Sequence, residues 1–94
     1  MRFRFSEPAI QSLTSIRDFI AKDNPDAAAK VASAMMKAVL RLTRFPQSGR
    51  PGRLKGTREL IVPGLPYIIP YRIVDDVILI LAVIHTSRKW PAKL

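Results

Sequence analysis

The stretch YIIPYRIVDDVILILAVIHT, residues 67–86, decides the fold. It is rich in β-branched and aromatic residues, and Tyr67 to Val74 and Val77 to Thr86 read as two strands. Asp75-Asp76 leaves a two-residue link between them, which predicts a tight hairpin. Pro70 lies inside the first strand and has no N–H to give to a ladder, so a bulge or a locally unpaired position is expected there. The run Val77 to Ile84 does not alternate, and a strand apolar on both faces wants cover on both. A helix layer can supply one cover. Part of the other face is expected to be closed by a second chain.

Working outward, Glu59 to Val62 reads as a third strand, joined to Tyr67 by Pro63-Gly64-Leu65-Pro66. Before it, Gln47-Ser48-Gly49-Arg50-Pro51-Gly52-Arg53 is a loop by its glycine and proline content. Further back the period changes to that of helices. Ser6 can cap a first helix with Pro8 in its first turn, and Ala9, Leu13, Ile16 and Ile20 make one apolar stripe to about Lys22. Asp23-Asn24-Pro25-Asp26 is a stop and a restart, with Asn24 a cap and Pro25 a first helical residue. Ala28, Val31, Ala32, Met35, Ala38, Val39 and Leu42 form the second stripe, which Phe45-Pro46 ends. Met1 to Phe5 alternates as a half-buried strand does. The expected architecture is α+β, in one domain over residues 1–94. It has an N-terminal strand, an antiparallel helix hairpin on one face of an antiparallel sheet, and a three-stranded antiparallel meander.

Composition narrows the chemistry. There is no cysteine and one histidine among 94 residues, so no disulfide or thiolate metal site is possible, and neither a metal centre nor a cofactor is expected. No apolar run approaches the roughly 20 residues that span a bilayer, and the N-terminus lacks the apolar core of a signal peptide, so a cytoplasmic protein without a membrane partner is expected. The formal charge of +9 is concentrated. Lys37, Arg41, Arg44, Arg50, Arg53, Lys55 and Arg58 fall in a 22-residue span without one acid, whereas the segments before and after it carry +1 each. A directed field of this kind meets phosphates or an acidic protein.

The pieces Asn24-Pro25-Asp26-Ala27-Ala28, Phe45-Pro46-Gln47-Ser48-Gly49-Arg50-Pro51-Gly52, Gly56-Thr57-Arg58-Glu59-Leu60, Pro66-Tyr67-Ile68-Ile69-Pro70-Tyr71-Arg72-Ile73 and Ile84-His85-Thr86-Ser87-Arg88-Lys89-Trp90-Pro91 occur in an order and spacing that resembles the toxin of RelE/ParE-type toxin–antitoxin systems. The resemblance implies a small toxin neutralised by a cognate antitoxin. RelE-like members cut messenger RNA on the ribosome, whereas ParE-like members inhibit DNA gyrase and are not nucleases. RelE-like nucleases usually carry an arginine just after the tyrosine of the middle strand, where this chain has Ile68, and several basic residues on the preceding strand, where it has Leu60-Ile61-Val62. The long helix hairpin also resembles the ParE-like branch. An inhibitor of DNA gyrase is therefore the favoured expectation. The alternatives are an mRNA endonuclease and an inert antitoxin- or nucleic-acid-binding module.

The residues that would carry each function can be named. Attack by a 2′-hydroxyl needs a base, an acid and cations on the phosphate. In a nuclease those roles would fall to Glu59, His85, Arg58 and Arg88, with Arg58, His85 and Arg88 clustered where the meander closes. The same histidine can equally be a hydrogen-bonded structural residue at a strand end. Tyr67 and Tyr71 share a face and could stack bases or pack in the core. Contact with the target is expected from Arg50, Arg53, Lys55, Arg58, Arg88, Lys89 and Trp90, although Trp90 beside Pro91 can instead be a lid on the core edge. The antitoxin is expected at Lys37, Arg41 and Arg44 and should be acidic where it wraps.

Overall fold

A computed structural model describes residues 1–88 and Trp90. Strand β1 (Arg2–Phe5) leads into helices α1 (Glu7–Ala21) and α2 (Pro25–Arg44), and the strands β2 (Arg50–Pro51), β3 (Arg58–Ile61), β4 (Tyr67–Val74), β5 (Val77–Ile80) and β6 (Ile84–His85) follow. The caps fall where the sequence puts them. The Ala9 N–H donates to Ser6 Oγ at 3.2 Å, and the Ala27 N–H donates to Asn24 Oδ1 at 3.0 Å. Each bond satisfies one of the backbone donors that a helix start leaves without an internal partner.

The sheet runs β1-β5-β4-β3-β2, with β6 beside β4. The meander β3-β4-β5 is antiparallel as expected. β1, however, adds to β5 in parallel, Arg2 facing Val77 and Phe5 facing Ile80, so the sheet is mixed. The reason is topological: α1 and α2 lie between β1 and the meander and carry the chain back to the same end. Asp75 and Asp76 both have positive φ, 50° and 61°, as a two-residue hairpin link requires.

Both helices feed one core on one sheet face. Ala9, Met35, Ala38, Val39 and Leu42 pack with Ile69, Tyr71, Ile78 and Ile80, and Leu13, Ile16 and Val31 close its margin. Complete burial of an isoleucine such as Ile78 or Ile80 stabilises by about 1.5–3 kcal/mol relative to exposure, so the alternation along β5 fixes which face takes the helices.

The expected last strand, Val77 to Thr86, is broken. Tyr71 faces Ile80, but Ile68 faces Ile84, so two residues of β4 oppose the three residues Leu81–Val83. This one-residue bulge sits opposite Pro70, which accepts the Leu81 N–H at 2.9 Å and has no N–H to return. Ser6 Oγ donates to the Leu81 carbonyl at 3.1 Å while capping α1. The bulge reverses the alternation. Ile78 and Ile80 face the helices, and after it Val83 joins the same core. His85, two residues on, then lies on the helix side, its ring edge-on to Tyr67 at 5.4 Å. An unbroken strand would have sent His85 to the opposite face.

That opposite face is covered in part by the chain itself, over β3 and β4, while Val77 and Leu79 on β5 line an open cleft there. By register it carries Glu59, Pro70 and Arg72, and the Gly52–Thr57 loop folds over them. The loop is closed by the Gly52 N–H donating to the Thr57 carbonyl at 2.8 Å, and Gly56 lies against the Arg72 guanidinium. At the margins Ile61 and Val74 stay open, 51% and 43% exposed.

Candidate functional site

Two sites arise along β4, one at its middle and one at its start. The first is built around Tyr71. Its hydroxyl donates to the Pro46 carbonyl at 2.8 Å and accepts the Gly49 N–H at 2.9 Å, and Arg58 Nη1 donates to the carbonyls of Gly49 (2.8 Å) and Gln47 (3.2 Å). A Cβ on Gly49 would lie 2.6 Å from the Tyr71 ring, so only glycine lets the loop close this far. Burial pushes the Tyr71 phenol above its ordinary pKa of 10.0, with the Gly49 hydrogen bond and the Arg58 charge pulling the other way.

Alternation along β3 sends the next residue, Glu59, to the other face. It is 3% exposed and fully engaged. Arg50 donates twice to Oε1, at 3.0 and 3.1 Å; the Arg53 N–H donates to Oε2 at 2.8 Å, with Arg53 Nε 3.9 Å away. Hydrogen bonds to a charged group contribute about 1.5–3 kcal/mol each, so this carboxylate is the staple of the basic loop. Arg53 in turn stacks on the Trp90 ring, 3.9 Å from its centroid. The buried acid splits the basic span. Lys37, Arg41 and Arg44 are exposed on α2, with Arg44 over Phe45, while Arg50, Arg53 and exposed Lys55 belong to the loop on the other face.

The second site is a cleft of about 810 Å³ between α1 and the β6 end of the sheet. Ile16, Phe19, Ile20, Tyr67 and Val83 give it apolar walls, and His85, Ser87 and Arg88 its polar rim. Phe19 is 70% exposed, the most open large apolar side chain among the described residues. His85 Nδ1 accepts the Ser87 N–H at 3.1 Å and lies 2.7 Å from Ser87 Oγ. With Nδ1 an acceptor, the neutral ring carries its proton on Nε2.

The expected cluster of Arg58, His85 and Arg88 does not form. Arg58 pairs with Tyr71 and His85 with Tyr67, four residues apart on β4, which is roughly 13 Å of strand. Glu59 is on the far face from both. His85 and Arg88 do line one cleft, and Lys89 lies outside the described residues. Among the described residues no group of three or more metal-ligating side chains comes together, and no helix is long and apolar enough to cross a membrane. Sequence reasoning passed over Phe19, Arg72 and the Glu59 staple. An apolar residue outside the α1 stripe was the only available signal for Phe19.

This two-helix, mixed-sheet arrangement can now be set beside known proteins. The family model described as ParE toxin of type II toxin–antitoxin system, parDE, matches residues 3–90. The chain belongs to the ParE toxin family. The toxin is 50% identical over 93 residues to Y4kP of Sinorhizobium fredii, covering 99% of this chain and 96% of that one. It is 32% identical over 80 residues to Toxin RelE2 of Caulobacter vibrioides, covering 85% and 89%. In structure it is similar to a protein of the chromosomal ParDE system of P. aeruginosa, with a TM-score of 0.83 at 24% identity over 93% of this chain and 97% of that one. It is the toxin of a type II toxin–antitoxin system, with an antitoxin as partner.

Proposed function

We propose that this toxin arrests growth in the cytoplasm by binding DNA gyrase and transfers no proton in doing so. The observation that carries this is the dispersal of its acid–base groups. General acid–base catalysis needs both groups within hydrogen-bond reach of one substrate. Glu59 is buried and held by Arg50 and Arg53, Arg58 is spent on loop carbonyls, and among the described residues no carboxylate lines the His85 cleft. The surface left for the target is the basic loop, with Arg50, Arg53 and Lys55, and the tail, with Arg88, Lys89 and Trp90. The antitoxin is acidic opposite Lys37, Arg41 and Arg44 and inserts apolar side chains into the cleft beside Phe19, following the usual complementarity of charge and the extended wrap of disordered segments.

A second reading, ribosome-dependent cleavage of messenger RNA, is favoured by one observation: His85 and Arg88 share a cleft. A supercoiling assay and a translating extract run side by side separate the two. The gyrase reading expects wild-type protein to inhibit supercoiling, loss of inhibition when residues 88–94 are removed, and intact message throughout. Message cut by wild type but not by His85→Ala would establish the nuclease. Failure to arrest growth on induction would leave an inert binding module.

A further inference from the structure

The Glu59 staple reaches further than its own loop. Glu59 sits on a central strand at 3% exposure, so its carboxylate is fixed by the sheet. Oε2 accepts the Arg53 backbone N–H at 2.8 Å and lies 3.9 Å from the side-chain Nε, within ion-pair distance. Arg53 is otherwise a half-exposed side chain that would sample many rotamers. With its backbone held and its Nε near the carboxylate, its guanidinium carbon lies over the Trp90 ring, 3.9 Å from the centroid, well inside the reach of a cation–π contact. Trp90 belongs to the tail, and Arg53 to the loop that crosses the far face of the sheet. Three residues distant in sequence thus form one chain of contact from the core to the tail.

We propose that Glu59 is a positioning residue: through Arg53 it fixes Trp90 against the basic loop, so that loop and tail meet the toxin's target as one composite surface. This rests on the tail being a target contact, as in the reading above. The composite pairs an aromatic anchor with arginine, the combination that dominates the energetics of protein interfaces. It also gives the buried carboxylate a role that neither proton transfer nor simple packing requires.

Trp90 is the only tryptophan, so its fluorescence reports on the tail alone. In the full-length toxin, Arg53→Ala should red-shift Trp90 emission, with acrylamide quenching indicating a roughly two- to fivefold rise in released tail, the population change of an exposed cation–π contact. Glu59→Gln should move the signal in the same direction. Combined with Arg53→Ala it should add nothing, because Glu59 acts through Arg53. Additive changes would overturn the proposal. If Glu59→Gln does not fold, Glu59→Asp, which keeps the charge one methylene short, completes the cycle. Inhibition of gyrase should fall in step with release of Trp90. A freed Trp90 with unchanged inhibition would overturn the composite surface while leaving the tail's role intact. Unchanged inhibition after removal of residues 88–94 would instead refute the target reading, and the composite surface with it.

Discussion

The surroundings of Tyr71 and of Tyr67, four residues apart on β4, make opposite uses of polar chemistry. On the Tyr71 side the groups at the sheet are consumed within the chain: the phenol by Pro46 and Gly49, Arg58 by loop carbonyls, and the Glu59 carboxylate by Arg50 and Arg53, which leaves only the outer edge of the basic loop to a target. On the Tyr67 side a large cleft stays open, walled by Phe19 and Ile16 and rimmed by His85 and Arg88. The side richest in charge is the one that holds the fold together. The side that looks poorer in charge is available to a partner. A charged residue is evidence of function only after its internal bonds have been counted.

That contrast can be broken most forcefully at Tyr71. Tyr71→Phe strands the Pro46 carbonyl and the Gly49 N–H, at about 1–3 kcal/mol for each orphaned group, so denaturant unfolding should show a loss of about 2–6 kcal/mol. The same phenol sets an alkaline limit. Its folded-state pKa is raised by burial, so its contribution is intact below the unfolded value of 10.0 and is lost as pH rises through the higher folded value. Stability should decline above pH 10.0 in wild type and less steeply in Tyr71→Phe. Equal slopes would show that the phenol is not the titrating group.

A smaller effect sharpens the comparison at the bulge. Ser6 Oγ joins the α1 cap to the Leu81 carbonyl, and the bulge is what turns His85 toward the cleft. Ser6→Ala should cost about 1–2 kcal/mol by thermal or denaturant unfolding, the upper range for a cap. It should also change the His85 ring resonances in NMR. A stability loss with unchanged His85 resonances would separate the cap from the bulge. Smallest in stability is Phe19→Ser, which should change unfolding by less than about 0.5 kcal/mol, as exposed positions do, yet weaken binding of the antitoxin. An unaltered antitoxin affinity would place the partner elsewhere.

Much of this was legible in the chain. Ser6, Asn24 and the proline after each cap mark both helix starts, because capping is local chemistry. Asp75-Asp76 marks the hairpin and Pro70 marks the bulge, for the same reason. The parallel placement of β1 was not legible, since no residue in Met1 to Phe5 encodes which edge it joins. Nor was the fate of Glu59. Seven basic residues around it read as a free belt, and only the register that turns Arg58 and Glu59 to opposite faces shows two of them spent on it. His85 and Arg88 meet in one cleft only because three residues oppose two across the bulge, a count the sequence does not contain.

The most direct test of the central claim is growth arrest by His85→Ala, induced without antitoxin beside wild type, with cellular RNA profiled in both. A toxin that works by contact predicts equal arrest, uncut message and retained inhibition of gyrase, because the histidine moves no proton. Loss of arrest in a variant that still folds and binds antitoxin, with message cleaved only by wild type, would contradict it.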